Sequence, residues 1–312
     1  MNLKDKKILI TGGMGFLGRS VMIKFMHACD ETNTITCADS KMADLRSYRE
    51  TEKLTQGVDI VVHLAADCGG IEYNRKNPGR LFHDNMLMSL NVMEACRRNA
   101  VKKIVLLGSV CGYPKYTKVP FHEGALWDGY PEETNAPYGL AKRNTLVLAQ
   151  SYRKQYGTNA IYLLVVNLYG PNDHFDDEKS HVIPAMIKKF VDAKEHDKKE
   201  VILWGTGRPT REFLYVEDAA EAILLATKLY DKPAPINVGA GFEVAVSELA
   251  EEVRSIVGYS GNIVWDDTKP DGQPRRCLDV SLAKGHLNFE ARTNMKDGLR
   301  KTVAWYLENR EA

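Results

Sequence analysis

Lys7-Ile8-Leu9-Ile10-Thr11-Gly12-Gly13-Met14-Gly15-Phe16-Leu17-Gly18 is the stretch that decides the fold. The short apolar run before Thr11 suits a strand buried on both faces. Gly12, Gly15 and Gly18 then fall at a spacing that permits a tight turn and a close backbone approach to a pyrophosphate. A helix follows, with Phe16, Leu17, Val21, Phe25 and Met26 read as its buried face. Its N-terminus offers free N–H groups and the positive end of a dipole to an anion. Strand, glycine turn and helix together predict a dinucleotide site.

Working outward, Thr34 to Ala38, Val58 to Leu64, Ile104 to Leu107 and Ala160 to Val166 are further apolar runs separated by helical patterns. The alternation predicts an α/β fold built on a doubly wound parallel sheet. After Asn167-Leu168-Tyr169-Gly170-Pro171 the chain turns polar, through Asn172-Asp173-His174-Phe175-Asp176-Asp177-Glu178, and a helix is expected from near His181. Residues 1–170 are read as the dinucleotide-binding domain, with return segments near 213–240. Residues 171–212 and 241–312 are read as a smaller C-terminal lobe, including an amphipathic helix over 298–309.

The 312 residues carry 42 basic and 41 acidic side chains, a formal charge of +1, which points away from nucleic acid and acidic membrane surfaces. No apolar stretch approaches the roughly 20 residues needed to span a bilayer, and the first residues lack the pattern of a secretory signal. Six cysteines, at 29, 37, 68, 96, 111 and 277, show no Cys-x-x-Cys pair. They read as reduced thiols of a cytoplasmic chain, with no metal site and five of the six as small buried apolar residues.

The chemistry concentrates between Gly108 and Lys142. Tyr138-Gly139-Leu140-Ala141-Lys142 places the tyrosine and lysine four residues apart, on one face of a helix. An ammonium beside a phenol is expected to lower the tyrosine pKa and ease proton exchange with a carbonyl oxygen. Ser109, closing a strand, adds a hydrogen bond to that oxygen. Cys111, two residues on, is an extra thiol that a simple alcohol dehydrogenase does not need. Asp39 follows the second strand where a carboxylate bonds a ribose 2′-hydroxyl, favouring NAD(H). Ser40 and Lys41 beside it suit the extra phosphate of NADP(H). These residues leave both cofactors open.

Several separated segments carry a family resemblance: Ala65-Ala66-Asp67-Cys68-Gly69-Gly70-Ile71, Leu107 to Lys115, Asn135 to Lys142, Asn167 to Asp173, Ser180-His181-Val182-Ile183-Pro184, Trp204 to Phe213, and Lys269-Pro270-Asp271-Gly272-Gln273-Pro274-Arg275. Over essentially its whole length the chain resembles the extended short-chain dehydrogenase/reductases, and within them the GDP-L-fucose synthase family. The resemblance implies a Rossmann-type sheet with a smaller substrate-binding α/β lobe. It implies 3,5-epimerisation and then NAD(P)H-dependent 4-reduction of GDP-4-keto-6-deoxy-D-mannose. By the same resemblance Cys111 and His181 are the base and acid of epimerisation. NADP(H) is the cofactor implied, contacting Gly12, Gly15, Phe16, Leu17, Gly18, Asp39, Ser40, Lys41, Asp44, Leu45, Leu64, Ala65, Ala66, Leu107, Tyr138, Lys142, Asn167, Leu168 and His181. The GDP-sugar is held by Ser109, Cys111, Asn167, Lys189, Trp204, Arg211 and Asp271, and a homodimer is expected.

Three departures bear on the substrate and cofactor. Gly112 stands where the family has a large apolar residue, which is expected to reshape the pocket. Val165-Val166 replaces a frequent Pro-Thr pair, and Asp39 replaces a neutral or basic residue. They leave room for another 6-deoxyhexose or a heptose. Two other functions fit the same residues. One is a nucleotide-sugar epimerase holding NAD without net reduction. The other is a non-catalytic nucleotide-binding regulator, which the intact Tyr138 and Lys142 disfavour.

Overall fold

The computed structural model describes residues 1–176, 179–269 and 271–310; Asp177, Glu178 and Pro270, quoted above, lie outside the described residues. The first half runs β1 (Lys7–Thr11), α1 (Phe16–Ala28), β2 (Thr34–Ala38), α2 (Tyr48–Leu54), β3 (Ile60–His63), α3 (Ile71–Lys76), α4 (Pro78–Arg98), β4 (Lys103–Ser109), α5 (Ala136–Tyr156) and β5 (Ala160–Val165). The second half continues β6 (Asn167–Tyr169), α6 (Val182–Glu195), β7 (Glu200–Trp204), β8 (Thr210–Arg211), β9 (Phe213–Tyr215), α7 (Val216–Leu229) and β10 (Ile236–Val238). It ends with β11 (Val244–Ala245), α8 (Val246–Val257), β12 (Asn262–Asp266), α9 (Ser281–Leu287) and α10 (Met295–Asn309). Among the described residues no helix is long and apolar enough to cross a membrane.

Six strands form one parallel sheet in the order β2-β1-β3-β4-β5-β10. Sequence order reverses at β1, whose neighbours β2 and β3 lie on opposite sides. Such a switch point opens a crevice beyond the carboxyl ends of the strands. Register fixes what faces it. Thr11 is level with Ala38 and with His63, so the glycine turn, Asp39 and Leu64-Ala65 leave the sheet together. Ser109 is level with Val165, which brings the end of β4 beside the chain leading to Asn167.

Two apolar cores result. The larger surrounds the sheet; the smaller gathers Ile183, Ile187 and Phe190 of α6, Leu249 and Val253 of α8, and Leu299 and Val303 of α10. Their boundary is a two-stranded parallel pair, β6 with β9. Side chains alternate across a strand, and β9 uses that alternation: Leu214 enters the larger core, Phe213 and Tyr215 the smaller.

Some sequence expectations differ from the structure here. Phe213–Tyr215 pair with β6, outside the six-stranded sheet, while Leu214 and α7 pack on the larger core and β10 joins the sheet itself. Leu278, Ala283, Leu287 and Phe289 enter the larger core, so α9 lies there and not in the smaller lobe. Met26 is 58% exposed, because Val21 and Phe25, one turn apart, already occupy the face of α1 that meets the sheet.

Candidate functional site

The glycine turn is built for close approach. Gly12 has φ +71°, and a Cβ there would stand 2.8 Å from the backbone nitrogen of Ala65. A Cβ at Gly18 would collide with the Gly12 carbonyl oxygen, so the first turn of α1 lies directly on the loop. Gly15 caps α1 with no side-chain hydrogen bond, leaving first-turn N–H groups for an anion. These residues fit the pyrophosphate of a dinucleotide.

At the adenosine end, Asp39 Oδ1 accepts from the backbone N–H groups of Lys41 (3.0 Å) and Met42 (3.1 Å). One carboxylate oxygen therefore shapes the turn after β2, with Ser40 and Lys41 exposed beside it. Asp44 is tied to Arg46, whose other guanidinium arm reaches Asp84 at 3.2 Å. Leu45 is buried, and its carbonyl accepts from Asn91 at 2.9 Å.

Helix α5 packs closely on the turn after β4 at Gly139. A Cβ on Gly139 would lie 2.8 Å from the carbonyl carbon of Cys111 and closer still to its oxygen. Glycine at 139 thus lets the helix settle onto the turn Val110–Gly112, where Ser109 Oγ accepts from the Cys111 N–H at 3.1 Å. That contact sets the Tyr138–Lys142 helix against the turn that carries Cys111, whose thiol acts on the Tyr138 phenol. Gly112 reshapes less than its sequence suggests: a Cβ there would point at Leu126 and the Gly139 carbonyl, and its own carbonyl is bonded by Arg143.

Lys142 lies with its ammonium 5.8 Å from the centroid of the Tyr138 ring. Burial lowers the Lys142 pKa to about 8, and the Cys68 thiol offsets this in small part. The expectation that Lys142 lowers the Tyr138 pKa is not met. Burial raises it well above its ordinary value, with smaller contributions in the same direction from Cys68 and Cys111. Desolvation raises it because the phenolate would be the charged form. Tyr138 is thereby kept as the neutral phenol.

Cys68 departs from the sequence expectation of a small buried apolar residue. It is exposed to the cleft and faces Tyr138 and Lys142. Burial by the surrounding protein, with Asp67 and Asp173 adding to it and Lys142 opposing, raises its pKa, so it stays a neutral thiol. Its place in the motif Ala65 to Ile71 was the available signal.

His181 is the N-cap residue of α6 and makes no side-chain capping hydrogen bond. Gly70 holds its approach: the Gly70 N–H donates to the Lys179 carbonyl at 3.1 Å, and a Cβ on Gly70 would meet the Ser180 carbonyl. The segment before His181 is thus clamped to the loop that carries Cys68. Surrounding protein, and in lesser part His174, lowers the His181 pKa. Its protonated form is then the stronger acid but the scarcer one at neutral pH. Among the described residues no hydrogen bond joins His181 to Cys111.

The expected sugar-nucleotide residues form a connected rim. Arg211 donates to the carbonyls of Thr210 (2.8 Å) and Asp271 (3.0 Å). Burial lowers its pKa to about 10, with neighbouring Arg276 adding to the effect and Asp271 and Cys111 opposing it. Asp271 spends its carboxylate on Thr206, through the backbone N–H and the hydroxyl, at 2.7 and 2.8 Å. Trp204, 48% exposed, presents its ring to Lys269 at 5.4 Å. Lys189 Nζ donates to the Ile202 carbonyl at 2.9 Å. Asn167 donates to the Glu212 carbonyl at 3.1 Å, joining β6 to the chain before β9, and Leu168 packs on the larger core. Arg276, one residue past the last motif quoted above, was missed, as was buried Asp173, whose pKa desolvation raises to about 7.

Residues 8–239 match the NAD dependent epimerase/dehydratase family. The putative GDP-L-fucose synthase 2 of Arabidopsis thaliana is 39% identical over 308 residues, 98% of this chain and 93% of that protein. A GDP-6-OMe-4-keto-L-xylo-heptose reductase from C. jejuni superposes with a TM-score of 0.92 at 28% identity, covering 99% of both chains. A GDP-L-fucose synthetase from Naegleria fowleri bound to NADP superposes with a TM-score of 0.89 at 27% identity, over 99% of this chain and 96% of that one. A match of this extent, over a glycine turn and Tyr-x-x-x-Lys helix placed as described, assigns the chain to the NAD dependent epimerase/dehydratase family.

Proposed function

We infer that the chain epimerises GDP-4-keto-6-deoxy-D-mannose at C3 and C5 and then reduces C4 with NADPH, giving GDP-L-fucose, or performs the same two steps on a close GDP-keto-sugar. One observation carries this reading: Cys111 and the Tyr138–Lys142 helix share a floor through Gly139, so carbon and oxygen protons are handled at one place.

A 4-keto group acidifies the neighbouring C–H bonds. Cys111, as thiolate, takes a proton from such a carbon, and the released pair moves onto the C4 oxygen. Tyr138 and Ser109 donate hydrogen bonds to that oxygen as its charge develops. His181 returns a proton to the carbon on the opposite face. When bound, NADPH supplies the hydride that reduces C4. Tyr138, kept protonated by burial, gives the oxygen its proton, and Lys142 steadies the phenolate left behind. The rim from Arg211 to Trp204 holds the GDP moiety, with the Arg211 guanidinium suited to two diphosphate oxygens. A dinucleotide-binding domain of residues 1–170 with return segments near 213–240, and a substrate-binding lobe of 171–212 and 241–312, belong to the same reading.

NADP(H) is supported by the NADP-bound relative. Asp39 favours a second reading, NAD(H), and with it epimerisation without net reduction. Stoichiometry separates the two: one NADPH oxidised per sugar supports the first, and turnover with no net oxidation the second. A cytoplasmic location accords with six free cysteines. A homodimer through α4 and α5 accords with exposed Phe82, Leu90 and Val147 on those helices, and light scattering on the purified protein tests it.

A further inference from the structure

Cys111 does not stand alone in its corner of the site. Arg276 Nη1 donates to Cys111 Sγ at 3.7 Å, within reach for a sulfur acceptor. The arginine is 6% exposed, and among the described residues no carboxylate lies within ion-pair distance of it. Its orientation is fixed from the other side. Arg276 Nε donates to Gln273 Oε1 at 3.1 Å. Gln273, 3% exposed, donates in turn to the carbonyls of Pro114 (3.2 Å) and Lys115 (2.9 Å).

Those two carbonyls belong to the loop that begins at Cys111. The contacts therefore close a ring, from thiol to guanidinium to amide and back to the thiol's own loop. A ring of this kind fixes a charge relative to one atom, which neither a surface arginine nor a packing arginine requires. Arg211 stands next to it and interacts with both Arg276 and Cys111. Its own guanidinium is held by the Thr210 and Asp271 carbonyls. Among the described residues, Tyr138, a neutral phenol, also interacts with the thiol, and the Ser109 hydroxyl accepts from the Cys111 N–H. Glu132 and Asp271 act on Arg211. The charged groups that interact with the sulfur are thus the guanidiniums of Arg276 and Arg211.

We propose that Arg276, oriented by Gln273, is a positioning residue that holds Cys111 as the thiolate which removes the sugar's C–H proton. Before substrate binds, the S–H proton passes to solvent and the guanidinium balances the sulfur's charge. This rests on the reading of Cys111 as the epimerisation base.

The test needs no sugar. The enzyme without substrate is treated with iodoacetamide across pH 5 to 10, and modification of the Cys111 peptide is followed by mass spectrometry. For Arg276→Met the midpoint of the rate–pH curve is expected to rise by about 1–3 units, with the high-pH plateau unchanged, since an opposite charge at this range favours the ionised form by about that much. Arg276→Lys retains most of the wild-type midpoint. An unshifted midpoint in Arg276→Met overturns the proposal, and so does a lower plateau at the same midpoint, which marks altered access alone. Should Arg276→Met not fold, Gln273→Met leaves the charge but frees its orientation; the expected midpoint rises by a smaller amount, and no rise overturns the proposal. A shifted midpoint in a protein that exchanges no sugar protons would retire the epimerase reading and leave the Arg276–Cys111 pairing standing.

Discussion

Replacing Gly139 by alanine adds one methyl group where helix α5 rests on the Cys111 carbonyl. The new Cβ would lie 2.8 Å from that carbonyl carbon, whereas ordinary contact begins near 3.4 Å, so helix and turn must part by at least about 0.6 Å. The nearer oxygen demands more. Both sides of the contact are backbone, so no flexible side chain can yield. Overpacking of this kind costs roughly 1–3 kcal/mol, and a misplacement near 1 Å costs a reacting geometry up to about 10²-fold. Gly139→Ala is therefore expected to lower the urea midpoint and to cut kcat for reduction by about 10- to 100-fold, read as NADPH absorbance loss. Cofactor binding should stay within about twofold, because the glycine turn is remote from the substitution. Gly285→Ala in α9 is the control: nothing lies within 4 Å of its Cβ, and helical alanine over glycine is expected to stabilise by roughly 0.5–1 kcal/mol. Wild-type kcat and urea midpoint in Gly139→Ala would refute the idea that this contact sets the site.

Other consequences are equally direct. Tyr138→Phe should reduce turnover by about 10²–10⁴-fold, the usual scale for a lost general acid, with cofactor affinity kept; retention of a tenth of wild-type reduction would remove the tyrosine from its role. Cys68→Ala should leave sugar-proton exchange and reduction within a few-fold of wild type, since that thiol stays neutral; a hundredfold loss in either assay would give it a part in the chemistry. Asp173→Asn probes pH-dependent stability. Asp173 is 6% exposed and holds its proton to about pH 7, while the unfolded chain releases it near pH 4. Its contribution is present below about pH 4 and is lost as pH rises towards 7, so the variant should gain on the wild type across that window, by on the order of 4 kcal/mol at most. Urea unfolding at several pH values reads the gap; a gap constant from pH 4 to 7 contradicts the assignment.

How much of this was legible in the sequence depends on the range of the contact. The glycine turn, β1 and the Tyr138–Lys142 helix are local patterns, and periodicity suffices to read them. The β6–β9 pair joins strands of three residues some 45 positions apart, too short for an alternation signal. Lys142 is visible four residues along the chain, whereas the burial that raises the Tyr138 pKa, and the Cys68, Cys111 and Tyr162 side chains that add to it, come from segments distant in sequence. Arg276 was missed for a similar reason. Its meaning is a contact with a thiol 165 positions away, and an arginine beside Arg275 looks like any charged surface pair. Cys68 sat within a motif already quoted, but nothing in that motif shows which side chain turns toward the tyrosine.

The central claim is that one site moves protons on carbon and then reduces the neighbouring carbonyl. Incubation with GDP-4-keto-6-deoxymannose and NADPH in deuterated water, followed by proton NMR of the product, addresses it most directly. The account predicts GDP-L-fucose carrying deuterium at C3 and C5, one NADPH oxidised per sugar, and no deuterium at those carbons with Cys111→Ser. Reduced product with protium at both carbons, or wild-type exchange in Cys111→Ser, would contradict it.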